Sequence, residues 1–453
     1  MMTKKLRVLL IVEQCNPEWA SVPLVGFRFF DEISKLVEVT LVTHERNQKA
    51  IEKLKLPIEI AYMPESALSK KYYKLISKLV YKAKAIWPLY HTLTYPLYEE
   101  FNNSVYQQFK DRILSGEFDL IHALTPMMPR YPYKVIKACQ NTPFVLGPVN
   151  GGVPFPDGFK ETAKKEFANL NFLRAVGRAV IPGYAETYQK ANRVLAGSTY
   201  TLNLVQEMFN LPKEKLSLFY ENGILSSLVE SAQPKSPKTE DQPINLLFAG
   251  RLVPYKCADL VIDAIAQLEA SVRQRVKLTI VGDGSERENL ERQVRSLDLN
   301  TQVHFAGWVN QEDIFSYYHE ADIFCFPSVR EFGGAVVLEA MACGLPCIVV
   351  NHGGIGEYVT EGTGFKIDPI SRAFVLQALT DKIRLLVEND KLRGDMSVNA
   401  IARIREFTWE QKAKQIVQLY REVLTKQQFI EFPPFDEEIV IENTEVVNSS
   451  EAL

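Results

Sequence analysis

The sequence predicts an α/β protein of two Rossmann-like domains, and three observations predict it. Short apolar runs alternate with helical patterns from the start, as in a parallel sheet whose strands are covered on both faces. Residues 231–243, Ser-Ala-Gln-Pro-Lys-Ser-Pro-Lys-Thr-Glu-Asp-Gln-Pro, then interrupt the pattern. They offer no apolar face to pack and read as an interdomain linker. A second strand–helix series begins directly afterwards. At 453 residues the chain is long enough for two domains with separate cores.

The first series contains apolar runs at 8–12, 37–43, 58–62, 120–123, 144–147 and 194–197. The second contains runs at 244–249, 277–281, 303–305, 323–326 and 347–350. Each has the length of a strand and is bounded by polar or turn residues. The predicted units are a first domain over 1–223, a linker over 224–243 and a second domain over 244–407. Thr408-Trp409-Glu410 opens a helix assigned to 408–427. Residues 428–453 carry Asp436, Glu437, Glu438, Glu442 and Glu445 without a basic residue, which predicts an acidic, disordered tail.

A formal net charge of -3 argues against a nucleic-acid partner held through phosphate contacts. The apolar run 8–12 is too short for a signal-peptide core, and no apolar stretch approaches the length of a membrane span. The six cysteines include no Cys-x-x-Cys and mostly sit in apolar surroundings, as reduced core residues do. The expected location is therefore cytoplasmic.

Candidate site residues gather where strands end. The run 323–326 leads through Glu331 into Gly333 and Gly334, then into Ala335-Val336-Val337-Leu338-Glu339. An apolar strand entering two glycines and then a helical pattern predicts a helix N-terminus opening at the sheet's carboxyl edge, where free N–H groups attract phosphate. At about 1.5 Å rise per residue, the two carboxylates stand roughly 8–12 Å apart. A capped helix with exposed charges is the plainer reading of that pattern. Arg251 and Lys256, after the run 244–249, project from the same edge, where a forked guanidinium and a compact ammonium can hold phosphate oxygens. The Gly282-Asp283 turn and Glu357 follow two further strands, and Gly26 lies on the long loop after the first strand.

These segments resemble the retaining, family 4 (group 1) glycosyltransferases of GT-B fold: the Glu-x7-Glu signature of Glu331 and Glu339, the Gly-Arg…Lys motif of Arg251 and Lys256, and the turns at 282 and 353. The resemblance is most specific between 244 and 357. The first-domain loops, 16–26 and 147–156, resemble a bacterial, largely cyanobacterial subgroup. It implies that Glu331 bonds the transferred sugar and Glu339 the ribose, while Arg251, Lys256 and the N–H groups near Gly333 and Gly334 neutralise the diphosphate. Gly26, Gly282, Asp283 and Glu357 would border the donor. No Asp-x-Asp triplet occurs, so no metal is expected, and the nucleotide sugar acts as co-substrate without a further cofactor. The 408–427 helix is expected to cross back onto the first domain.

On the acceptor side, Asn150 stands where relatives often carry a histidine, and it cannot act as a base. His122 ends a strand and is either an acceptor-side residue or a structural histidine. The expected partners are a nucleotide-sugar donor and a glycan or lipid-linked acceptor. Over residues 68–87, Lys71, Lys74, Lys78 and Lys82 form one helical stripe, beside an apolar face of Leu68, Tyr72, Leu75, Ile76, Leu79, Ala83 and Ile86. Two readings stay open: a domain helix with its lysines in water, or docking on an anionic membrane at the inner face of the plasma membrane, where the basic segment 159–180 would add to it. The functional alternatives are a nucleotide-sugar epimerase of the same fold, or a donor-binding protein that has lost transfer.

Overall fold

The computed structural model describes residues 5–82, 93–125, 131–166, 181–310 and 313–425. The acidic tail, Ala83, Ile86, Arg174 and Arg178 fall outside them, as do the side chains of Leu79 and Lys82.

Thirteen strands among the described residues form two parallel sheets. The first takes the order β3-β2-β1-β4-β5-β6-β7, with β1 Arg7–Val12, β2 Glu38–His44, β3 Glu59–Met63, β4 Leu120–Thr125, β5 Phe144–Val149, β6 Arg193–Ala196 and β7 Leu216–Leu218. The second takes the order β10-β9-β8-β11-β12-β13, with β8 Ile244–Ala249, β9 Val276–Val281, β10 Val303–Gly307, β11 Ile323–Phe326, β12 Cys347–Val350 and β13 Gly364–Ile367. β1, β5, β6, β8, β11 and β12 are buried almost end to end, as strands covered by helices on both faces must be. β7 and β13 have no counterpart among the predicted strands. Both are short edge strands, and Ser217 and Lys366 break their apolar runs.

The linker departs from the expectation of an unpacked segment. Residues Ser226–Glu230 form a helical turn, and the chain after it is fastened to the second domain. Lys235 Nζ donates to the carbonyls of Tyr318 (2.9 Å) and His319 (2.8 Å), and the Lys238 backbone N–H donates to Asp390 Oδ1 at 2.9 Å. Helix Trp409–Thr425 lies on the first domain, where Trp409 packs edge-on against Phe29 with centroids 5.1 Å apart. Ile416, Val417 and Tyr420 join the same core as β1 and helix Val22–Leu36.

Helix Ala67–Lys82 also differs from its expected packing. Ile76 is buried, but Leu68 and Leu75 are 78% and 56% exposed, so those two leucines do not belong to a core face. Lys71, Lys74 and Lys78 stand exposed beside them. The inward side is instead polar and aromatic, with Ser69 bonded to Glu100 and Arg46 stacked 4.4 Å over Tyr73. All six cysteines are free, and five are buried.

Candidate active site

A cleft of about 1070 Å³ is walled by both domains. In each sheet the strand order reverses beside the first strand, between β1 and β4 and again between β8 and β11. Open α/β sheets bind ligands outside the carboxyl ends of strands at such a reversal. The loops leaving β8 and β11 supply Arg251, Lys256 and Glu331 to the cleft.

Lys256 ends the short helical turn Pro254–Lys256, and its ammonium forms an ion pair with the Glu331 carboxylate. The two side chains are only 11% and 16% exposed. Beneath the pair lie aromatic rings, with Lys256 Nζ 4.7 Å from the Phe326 ring and 5.5 Å from that of Tyr255. The Tyr255 hydroxyl accepts from the Arg251 guanidinium at 2.6 Å, so one tyrosine touches both cations. Glu331 is fixed through its backbone too: it forms a β-bridge with Gly353, where a Cβ would lie 2.0 Å from the Glu331 carbonyl oxygen.

Gly334 begins helix Ala335–Ala342 in the left-handed region, φ 58°, and a Cβ there would meet Ile355 at 2.2 Å. Glycine removes both penalties. The helix N-terminus therefore opens into the cleft, with N–H groups that have no partner within the helix. Further along this helix, Glu339 accepts from the Tyr318 hydroxyl at 3.0 Å, and burial raises its pKa. The arrangement combines two cations, a glycine-opened helix end and two separated carboxylates on one wall. It suits a ligand with an anionic middle and hydroxyls at either side.

Five of the expected site residues do not line this cleft. Gly26 is a packing glycine: a Cβ would lie 2.3 Å from the Gln14 carbonyl, so its role is close approach of helix Val22–Leu36 to the end of β1. Gly282 meets Gly250, with a Cβ 1.9 Å from that carbonyl, and the Asp283 carbonyl accepts from Leu252 N–H at 2.9 Å. Both brace the loop that carries Arg251. Glu357 points to the first domain, where it accepts from Thr199 N–H at 2.8 Å. His122 is walled in: Nδ1 lies 2.6 Å from the Tyr420 hydroxyl and Nε2 2.6 Å from the Gly147 carbonyl. Burial lowers its pKa to about 4, so it is a neutral structural histidine. Asn150 does reach the cleft, although its Oδ1 accepts from the Thr201 hydroxyl at 3.0 Å.

Three cleft residues had not been expected. Glu221, in the Glu-Asn-Gly segment after β7, faces the second domain against Gly333. Trp308, 72% exposed, stands just after Gly307 at the end of β10, beside Val309 and Phe315. Arg330 reaches across to the Val153 carbonyl at 3.2 Å and stacks 5.0 Å over Phe155, tying the loop before Glu331 to the first domain. An aromatic or charged residue one to four positions beyond a strand's carboxyl end is the signal that would have found Trp308 and Arg330.

Comparison with known proteins now places the second half of the chain. Residues 229–403 match the family model described as glycosyl transferases group 1. The match spans most of the second domain and the end of the segment that leads into it. A D-inositol 3-phosphate glycosyltransferase of Nocardioides is 32% identical over 191 residues, covering 39% of this chain and 41% of that protein. An uncharacterised glycosyltransferase of Methanocaldococcus jannaschii is 30% identical over 248 residues, 52% of this chain and 62% of that protein. The chain thus matches about two fifths to three fifths of the length of these relatives. Among solved structures, Anabaena HepE in complex with UDP has a TM-score of 0.56 at 20% identity, covering 92% of this chain and 100% of that one. A sucrose-phosphate synthase of Thermosynechococcus elongatus has a TM-score of 0.60 at 20% identity, covering 93% and 100%. The fold is that of the GT-B proteins, with two Rossmann-like domains facing one cleft.

Proposed function

We propose that the protein transfers a sugar from a nucleotide-sugar donor to a glycan or lipid-linked acceptor, with retention at the anomeric carbon and without a metal. The observation that carries this reading is the Lys256–Glu331 pair beside the Gly333-Gly334 helix opening. When donor binds, the diphosphate takes Lys256 and Arg251 as partners, and Glu331 turns its oxygens to the sugar hydroxyls. The ionic exchange keeps Lys256 neutralised throughout, which matters because an unpaired buried charge is costly. The two cations stabilise charge on the departing diphosphate. Glu339 takes the ribose hydroxyls, and the exposed face of Trp308 offers the base a stacking surface.

For the acceptor side, the outward leucines and lysines of helix Ala67–Lys82 support contact with an anionic membrane surface. A side chain at the interface then keeps its ammonium in the headgroups while Leu68 and Leu75 enter the acyl boundary. Incubating the protein with UDP-, GDP- and ADP-sugars tests the reading. Slow release of free sugar supports transfer chemistry, an epimeric nucleotide sugar points to the isomerase, and binding without turnover reduces the protein to a donor binder.

A further inference from the structure

Glu221 has no part in the mechanism above, yet it sits where that mechanism places the diphosphate. It follows β7 on the first domain, lines the cleft and lies against Gly333 so closely that a Cβ there would be 2.2 Å from its Oε1. Asn222 crowds the same glycine, with Nδ2 2.1 Å from that Cβ position. The carboxyl therefore covers the glycine turn from the opposite domain, at the mouth of the helix that collects anions. An ionised carboxylate there would repel a diphosphate. A protonated one would offer it an O–H donor.

We propose that Glu221 engages the diphosphate as a neutral carboxylic acid, so that nucleotide binding draws a proton onto the protein. The inference rests on the nucleotide-sugar reading and adds a ligand group contributed by the first domain. Two features favour the neutral form: burial is the larger, the charge of Glu331 acts in the same direction, and the pKa is raised to about 7. The Asn150 amide and the Lys412 ammonium pull the other way. Lys412, on helix Trp409–Thr425, is itself buried and lowered to about 7, and it donates to the Tyr220 carbonyl. Tyr358 completes the surroundings from the second domain, and its hydroxyl stays protonated. A dianionic neighbour raises the Glu221 pKa further, so the bound state holds more protons than the free state and affinity falls as pH rises past about 7.

The test is calorimetric titration of the whole chain with UDP, GDP and ADP in buffers of differing ionisation enthalpy. For whichever nucleotide binds, we expect uptake of about half a proton at neutral pH, and affinity falling by up to about tenfold per pH unit between about pH 7.5 and 8.5. Glu221→Gln should abolish the uptake, flatten the profile and bind more tightly than the parent at the alkaline end, because an amide N–H donates without ionising. Lys412→Met, whose melting temperature is checked first, should keep the uptake but shift it to higher pH, because the ammonium no longer holds the Glu221 pKa down. Nucleotide binding with no proton uptake by the parent overturns the proposal and leaves the donor site standing. Uptake that persists in Glu221→Gln and vanishes in Lys412→Met assigns the proton to the lysine and overturns it equally. Failure of all three nucleotides to bind contradicts the donor reading and this proposal with it.

Discussion

In the second domain the side chains of the cleft wall are bonded to one another: Lys256 pairs with Glu331, Tyr255 holds Arg251, and Tyr318 holds Glu339. The first domain offers Ala20, Ser21, the first turns of helix Val22–Leu36 and Asn150, with an amphipathic helix on which Leu68 and Leu75 face outward. A wall of interlocked charges suits one ligand that never changes, while loops on the opposite side leave room for acceptors of many shapes. The family match covers 229–403, which includes every residue of the interlocked wall.

If the second-domain wall is the donor site, its disruption should produce the largest losses. Glu331→Gln should lower kcat/KM by about 10–100-fold or more, since it removes a charge-assisted bond of about 1.5–3 kcal/mol and leaves Lys256 without its partner. A steady-state assay with the cognate donor reads this, and near-parental turnover would remove Glu331 from the mechanism. Melting temperature should fall in the same variant, because unpairing a largely buried lysine is destabilising.

Arg251→Ala should weaken the nucleoside diphosphate product by about 10-fold, since a hydrogen bond to a charged group contributes about 1.5–3 kcal/mol at most. Activity should persist in EDTA. Loss in EDTA with recovery in Mg²⁺ would assign the phosphate charge to a metal. Trp308→Ala is expected to be milder, about 3–10-fold on nucleotide affinity, in line with about 0.5–1.5 kcal/mol for aromatic stacking. An unchanged affinity would free Trp308 from the base.

The smallest effect on donor chemistry belongs to the first domain. Replacing Lys71, Lys74 and Lys78 by Gln should leave soluble donor hydrolysis unchanged while reducing co-sedimentation with anionic vesicles, at about 1 kcal/mol per lysine. Equal recovery of parent and variant, or no preference for anionic over neutral vesicles, would return the helix to a solvated face.

Legibility in the sequence follows the same division. Strands buried on both faces announce themselves as continuous apolar runs, so the two-domain α/β plan could be read directly. β7 and β13, at sheet edges, carry Ser217 and Lys366 and could not. Position after a strand identified the neighbourhood of the site without the direction of each side chain. Arg251, Lys256, Glu331 and Glu339 converge on the cleft, whereas Gly282 and Asp283 meet the adjacent loop through their backbone and Glu357 reaches Thr199. Glu221 was hidden for a different reason. Glu-Asn-Gly is an ordinary turn sequence, and its contact with Gly333 is 112 positions distant in the chain.

The most direct test of the central claim, that the Arg251–Lys256–Glu331 wall is a nucleotide-sugar site, is thermal denaturation of parent and Arg251→Ala/Lys256→Ala protein with UDP-, GDP- and ADP-sugars in EDTA. One of these donors should raise the parent's melting temperature, in keeping with about 2.7 kcal/mol of linkage at 100-fold excess over Kd, and the double variant should lose most of that shift. The claim would be contradicted by a parent that none of the donors stabilises, or by a double variant stabilised as strongly as the parent.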